Sequence, residues 1–122
     1  MKCLCGSNKS FSECCEPFLD QTQLPQSPEA LMRSRYVAFC QKNWDYLLET
    51  TDPQGLLDFD HPENKAWMEQ STFLNLEVLN SNEEGNKGWV EFKAQYKIGD
   101  EEHTHHEKAK FRKLKGQWYF RP

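Results

Sequence analysis

The sequence lacks any run of eighteen apolar residues, so no segment is expected to cross a membrane as a helix. It also lacks an excess of basic residues. Lysine and arginine number 15 against 19 aspartates and glutamates, a formal charge of -4. That balance predicts no general nucleic-acid footprint, and DNA is not an expected partner. The N-terminus carries Lys2 and then cysteines, with no apolar stretch behind them, which is not the layout of a signal peptide. A cytoplasmic location follows as the expectation, and thiols stay reduced there. At 122 residues the chain has room for one domain and a small appendage, with no second core. Aromatic rings, by contrast, are plentiful: eight Phe, four Trp and four Tyr. A small core built from large rings is the expected result. Five cysteines are present, and Cys3, Cys5, Cys14 and Cys15 all fall within thirteen residues.

Those four thiols follow the pattern C-x-C-x(8)-C-C. Two disulfides could form in three connectivities. A bond between adjacent Cys14 and Cys15 would be strained, and a reducing compartment opposes all of them. Zn2+ meets both objections, because it takes four thiolates tetrahedrally at about 2.3 Å and organises a short segment. Zinc held by Cys3, Cys5, Cys14 and Cys15 is therefore favoured over a disulfide pair or inert thiols. Gly6 permits the turn that lets Cys3 and Cys5 face one ion. Ser12 can cap a turn of helix that delivers Cys14 and Cys15. Lys2 and Lys9 lie close enough in sequence to offset the charge of four thiolates on one divalent ion.

The stretch "CLCGSNKSFSECC" resembles the SEC-C motif, the zinc knuckle at the carboxyl end of the SecA translocation motor. The matching residues are Cys3, Cys5, Gly6, Ser7, Lys9, Phe11, Cys14 and Cys15. With "SPEALMRSRYVAF", "WDYLLETTDP", "VEFKAQY", "HEKAKF" and "QWYF" behind it, nearly the whole chain resembles the YchJ-like family. That resemblance implies a zinc knuckle over residues 1–20, a linker over 21–27, and a nuclear-transport-factor-two-like (cystatin-like) α+β cone over 28–122. It implies no activity. Some members of the family carry a second knuckle at the C-terminus; none is expected here.

The residues support an α+β fold on their own. Gln21 to Ser27 is polar and carries Pro25, which suits a linker. Ser27 is a natural N-cap, Pro28 fits the first helical position, and Glu29 complements the helix dipole. The helix should run to about Gln41, with Leu31, Met32, Tyr36, Val37, Phe39 and Cys40 on a broad apolar side. Asn43 can cap a shorter helix with Tyr46 and Leu47 inward, ended by the turn residues Asp52 to Gly55. Further helical turns fit Pro62 to Gln70. The period then changes to two. Thr72 to Asn80 offers Leu74, Leu76 and Val78 on one face. Lys87 to Ile98 sets Val90, Phe92, Ala94 and Tyr96 against Trp89, Glu91 and Lys93. His105 to Leu114 and Gln117 to Arg121 complete a meander, with turns at Glu83–Asn86, Gly99–Asp100 and Gly116. N-terminal helices followed by such strands predict helices packed on one face of a curved antiparallel sheet. Such a cone often leaves a pocket at its wide end.

One strand carries candidate chemistry. In "HTHHEKAKF", Glu107 shares a face with Ala109 and Phe111, and the same count places His105 and His103 there. An inward carboxylate needs a partner, and Arg33 or Arg35 on the long helix is the expected one. Glu107 as a ligand-binding group or a general base are the other readings. The pocket candidates are Glu107, Arg33, Arg35, His105, Tyr96 and Phe92. No paired acid, nucleophile or oxyanion donor is visible to complete a catalytic site. His103 and His105 could chelate a metal but lack a third ligand. Cys40 reads as a core thiol. Trp89 faces away from the apolar side and suggests a homodimer through the sheet.

The expected function is a zinc-binding adaptor. Its knuckle would dock a protein, and its cone would bind a small ligand or a second chain. Similarity of the knuckle to that of SecA points to an export chaperone or the ribosome as partner, by analogy only. The alternative is a small enzyme of hydrolase or isomerase type that uses Glu107 in the cone.

Overall fold

The structure is a computed structural model that describes residues 1–122. Its sheet is a four-stranded antiparallel meander in the order β1-β2-β3-β4. The strands are β1 (Thr72–Glu84), β2 (Lys87–Ile98), β3 (Glu101–Leu114) and β4 (Gln117–Arg121). Lys115 and Gly116 both take positive φ, 49° and 81°, the backbone that lets a two-residue hairpin follow the sheet's twist. Strand β3 begins four residues before the expected His105, because Glu101 and Glu102 continue the ladder opposite Ile98 and Lys97. Phe92 faces Glu107, Ala94 faces His105, and Val90 faces Ala109 across β2 and β3. These residues therefore share the inner face, as the alternation of β2 and β3 predicts.

Strand β1 departs from simple alternation. Its register shifts between Phe73 and Asn75, and again between Val78 and Asn80. Leu74 and Leu79 are the extra residues at these two bulges. Leu74 does not share the inner face with Leu76 and Val78; it is 44% exposed, and Phe73 packs against the core in its place. The reason is the bulge, which slips the strand by one residue and so reverses the side chains beyond it.

The helices lie on the inner face. They are α1 (Glu16–Leu19), α2 (Pro28–Gln41), α3 (Trp44–Glu49), α4 (Leu56–Phe59) and α5 (Pro62–Gln70). The amide of Ala30 donates to Ser27 Oγ at 3.1 Å, and left-handed Lys42, with φ of 59°, ends α2. Asn43 caps α3 in the same way, accepting from the Tyr46 amide at 3.1 Å. At α5 the cap is an imidazole: His61 Nδ1 accepts from the Glu63 amide. Gly88 allows α2 to start close against β2, since a Cβ there would sit 2.4 Å from Pro28 Cγ. After α3 the chain runs beside β4. The Phe120 amide donates to the Thr50 carbonyl, and the Asp52 amide donates to the Phe120 carbonyl, both at 2.8 Å.

Two apolar clusters meet along α2. The smaller joins Ala38, Trp44, Tyr46, Leu47 and Met68. The larger joins Leu31 and Val37 of α2 to Val90, Phe111 and Trp118 of the sheet. Cys3, Cys5 and Cys15 belong to that same larger cluster. The knuckle is thus pressed into the core rather than held out from it. Gly6, at a φ of 81°, makes the approach possible, because a Cβ there would stand 3.0 Å from the Leu76 carbonyl oxygen.

Candidate functional site

The first constellation is the cysteine cluster. The Cys3 amide donates to the Lys9 carbonyl and the Phe11 amide to the Met1 carbonyl, which folds residues 1–11 into a small ribbon. A 3-10 turn over Phe11–Glu13 then brings Cys14 and Cys15 back toward Cys3 and Cys5. Ser12 makes no capping bond; Ser10 precedes this turn. All four Sγ atoms lie within 4.8 Å of one another. Four sulfurs at about 2.3 Å from a zinc ion stand about 3.8 Å apart. Cys5 and Cys14 are 3.6 Å apart, and Cys14 and Cys15 are 3.8 Å apart. The residues present therefore fit a tetrahedral metal.

Electrostatics point the same way. Hydrogen bonding with Cys15 holds the Cys5 thiol well below its ordinary range and drives Cys15 up, while burial raises Cys3. Four crowded sulfurs cannot all ionise without a cation among them. Donors already surround the cluster. Ser7 Oγ lies 3.1 Å from Cys14 Sγ, and Arg33 Nη1 stands 2.7 Å from the Cys5 carbonyl oxygen and 4.0 Å from its sulfur. Lys2 turns instead to Asn8 Oδ1 at 2.7 Å. The cation that approaches the cluster is thus Arg33, held by Glu29 at 3.0 Å one turn back on α2.

The second constellation is a cavity of about 490 Å3 between the helices and the inner sheet face. Thirteen of its 19 lining residues are hydrophobic, so water gains little there. Phe39, Trp67, Phe73 and Tyr96 cluster around one wall at centroid distances of 5.2 to 6.0 Å, with Trp67 edge to face against the other three rings. Phe92, Tyr96, His105, Glu107 and Arg35 all line the cavity. Arg33 does not. It lies two residues from Arg35 on a helix with 3.6 residues per turn, so it emerges on the opposite side and reaches the knuckle.

Glu107 enters the cavity, but the expected pair with Arg33 or Arg35 does not form. Its Oε1 lies 2.7 Å from His105 Nε2. That hydrogen bond raises the pKa of His105 above the ordinary histidine value against the opposing effect of burial. Arg35 has found neutral partners instead. Its Nη1 donates to the Leu47 carbonyl at 2.9 Å and to the hydroxyls of Thr50 and Thr51 at 2.7 and 3.2 Å. The rings of Phe59 and Phe120 flank the guanidinium at 5.2 and 4.4 Å. No carboxylate lies within 4.0 Å of it. Burial lowers its pKa to about 9, which leaves it a cation at neutral pH.

The remaining candidates stand apart. His103 takes Glu101 at 3.5 Å and stacks on Tyr96, so it does not converge with His105 on a metal. Cys40 is half-buried beside Tyr36, and burial raises its pKa. Trp89 lies on the outer sheet face, where Lys108 Nζ sits 4.0 Å from its ring centroid. Around it that face is polar, with His106 paired to Glu91 at 2.8 Å.

Helices packed on a curved four-stranded sheet, with a four-cysteine knuckle seated on the core, define a SEC-C type knuckle joined to a nuclear-transport-factor-two-like domain. Residues 27–122 match the model of the family described as YchJ, middle NTF2-like domain, and the chain belongs to this YchJ-like family. It is 41% identical over 121 residues to UPF0225 protein GSU1048 of Geobacter sulfurreducens, covering 97% of this chain and 75% of the relative. A UPF0225 protein of Actinobacillus succinogenes is 38% identical, with 97% and 78% covered. The solution structure of RPA3114, a SEC-C motif containing protein from Rhodopseudomonas palustris, superposes with a TM-score of 0.93 at 52% identity. That match covers 100% of this chain and 96% of the other. A SEC-C motif containing protein from Psychrobacter arcticus gives 0.84 at 28% identity, covering 98% and 80%.

Proposed function

We propose that this chain is a zinc-knuckle binding protein whose cone is a compartment for a small organic ligand. The cavity carries this reading: an apolar space of about 490 Å3 that contains a buried guanidinium with no carboxylate partner. A structural role alone would favour filling that space with side chains, because voids lower packing energy. Cys3, Cys5, Cys14 and Cys15 would hold the zinc. Four thiolates close its coordination shell, so the ion supplies cross-linking and charge balance rather than an open catalytic position. A cytoplasmic setting, where thiols stay reduced, is the proposed location.

The knuckle is also the proposed docking point for a protein partner, an export chaperone or the ribosome by analogy with SecA. Met1 and Leu4, 97% and 56% exposed beside the cysteines, support it. The outer sheet face supports a homodimer less, because Lys108 already covers Trp89. One observation favours a second reading, the small enzyme. Glu107 and His105 form a hydrogen-bonded pair on the cavity wall, the arrangement a general base needs.

A fragment screen by amide NMR on zinc-loaded protein tests the compartment. Fragments should shift the amides of Phe92, Ala94 and Ala109 together and saturably. A screen in which no fragment moves those amides would overturn the reading. Turnover of a bound fragment that disappears in Glu107→Gln would move the assignment to the enzyme.

A further inference from the structure

Arg35 is the one arginine or lysine in the cavity's lining, and the walls restrict what it can receive. Arg35 is 5% exposed. All of its hydrogen bonds leave from Nη1. Nε and Nη2 donate to no protein atom, yet neither is sealed among the orphaned buried atoms, which are Arg112 Nε and Trp118 Nε1. Arg35 is among the residues that line the cavity. Together Nε and Nη2 form the side of the guanidinium that meets a carboxylate through two parallel hydrogen bonds. The Leu47 carbonyl, Thr50, Thr51 and two flanking rings fix the plane of the group before any ligand arrives.

We infer that the cone's ligand is a compact aromatic monocarboxylic acid whose carboxylate is held by the free edge of Arg35. The inference rests on the proposed reading of the cone as a ligand compartment. A monocarboxylate brings one negative charge to Arg35, the one arginine or lysine lining a cavity that already holds Glu107 and Asp58. A phosphate ester would bring a second charge without a second cation, and Glu107 and the rim residue Asp58 would repel it. The wall formed by Phe39, Trp67, Phe73 and Tyr96 offers ring edges and faces to a flat apolar body. Glu107 and His105, 2.7 Å apart on β3, line the same space. They offer an acceptor and a donor to any hydroxyl or amino group on the acid.

Amide NMR titrations of the zinc-loaded chain with phenylacetate, phenylacetamide and inorganic phosphate test this directly. Phenylacetate should shift cavity amides and bind at least about ten-fold tighter than phenylacetamide, the discrimination expected when a hydrogen bond to a charged group is lost. Phosphate should leave the cavity amides unmoved. In Arg35→Gln the preference for the acid should vanish, and in Arg35→Lys it should persist in weakened form. Equal binding of acid and amide would overturn the inference while leaving the compartment standing, as would an acid preference that survives in Arg35→Gln. Phosphate entering where phenylacetate does not would overturn it in favour of an inorganic anion site. If none of the three reaches the cavity, the inference fails, and the fragment screen then decides whether the compartment fails with it. Should Arg35→Gln not fold, the wild-type comparison of acid with amide and the Arg35→Lys titration decide the matter.

Discussion

The knuckle and the cavity solve the problem of buried charge in opposite ways. In the knuckle, thirteen consecutive residues bring together four groups of one kind, in a cluster that one metal ion could answer all at once. The cavity draws its groups from α2, α3, α4, α5 and all four strands, and its arginine makes no direct ion pair, with Glu107 acting on it only at longer range. A metal held there would balance the knuckle's charge inside the molecule, so the expected consequence of disturbing the knuckle is lost stability. The cavity's charge is balanced only in part, so the expected consequence there includes altered binding. The two regions nevertheless share α2. Arg33 leans on the knuckle and Arg35 lines the cavity from the opposite side of the same helix.

The largest effect should come from the knuckle. Cys5 is completely buried and lies in the same cluster as Val37, Val90 and Phe111. Cys5→Ser should abolish metal binding and lower the melting temperature by about 10 °C or more in one cooperative transition. A melt in which the cone keeps its original midpoint would show the two regions to be independent. Next comes Arg35→Ala. It removes a side chain packed between two rings and takes a donor from Thr50, Thr51 and the Leu47 carbonyl. A loss of about 3 kcal/mol in denaturant melts is expected. A loss below about 1 kcal/mol would mean that water takes over those bonds. Gly88→Ala should cost about 2 kcal/mol, because the added methyl meets Pro28 at the start of α2.

The contrast also explains what the sequence discloses. The knuckle is local, so residue type and spacing display its ligand set completely. Alternation in β2 and β3 likewise discloses which face holds Phe92, Ala94 and Glu107, because pairing preserves parity over twelve ladder pairs without a slip. In β1 that logic fails at Leu74, since nothing in "TFLNLEVLN" marks where the partner strand stalls for one residue. The cavity is legible only in outline. Glu107 and His105 are visible as residues of one face. Arg35, however, meets Leu47, Thr50 and Thr51 only because α3 folds back beside α2. That hairpin supplies neutral acceptors, and they displace Glu107 as the arginine's partner. Phe39, Trp67 and Phe73 read as ordinary core, although α2 and α5 turn them toward an open space. Helical phase alone does separate Arg33 from Arg35, so that distinction was available in the sequence.

Smaller effects should sharpen the comparison within the cavity. Glu107→Gln should change stability little, since the Glu107 side chain is 37% exposed, but it should return the titration of His105 to the ordinary histidine range. The sign follows from linkage. His105 has a raised folded pKa, so its contribution is complete below the ordinary value near 6.5 and is lost as pH rises through the raised one. Proton NMR of the imidazole checks both midpoints, and an unshifted titration in the parent protein would remove Glu107 as the cause. The smallest change is expected from Trp89→Ala, within about 1 kcal/mol, because the ring's close partner is a flexible lysine on an exposed face. A sedimentation change in that variant would restore the sheet as an association surface.

Zinc K-edge absorption on reduced, metal-loaded protein tests the central claim most directly, because it counts the atoms around the ion. A first shell of four sulfurs at about 2.3 Å is expected, with no nitrogen or oxygen scatterer, at a loading of about one zinc per chain. A shell containing nitrogen or oxygen, or a reduced protein that takes up no zinc on reconstitution, would contradict the assignment of Cys3, Cys5, Cys14 and Cys15 as a closed structural site.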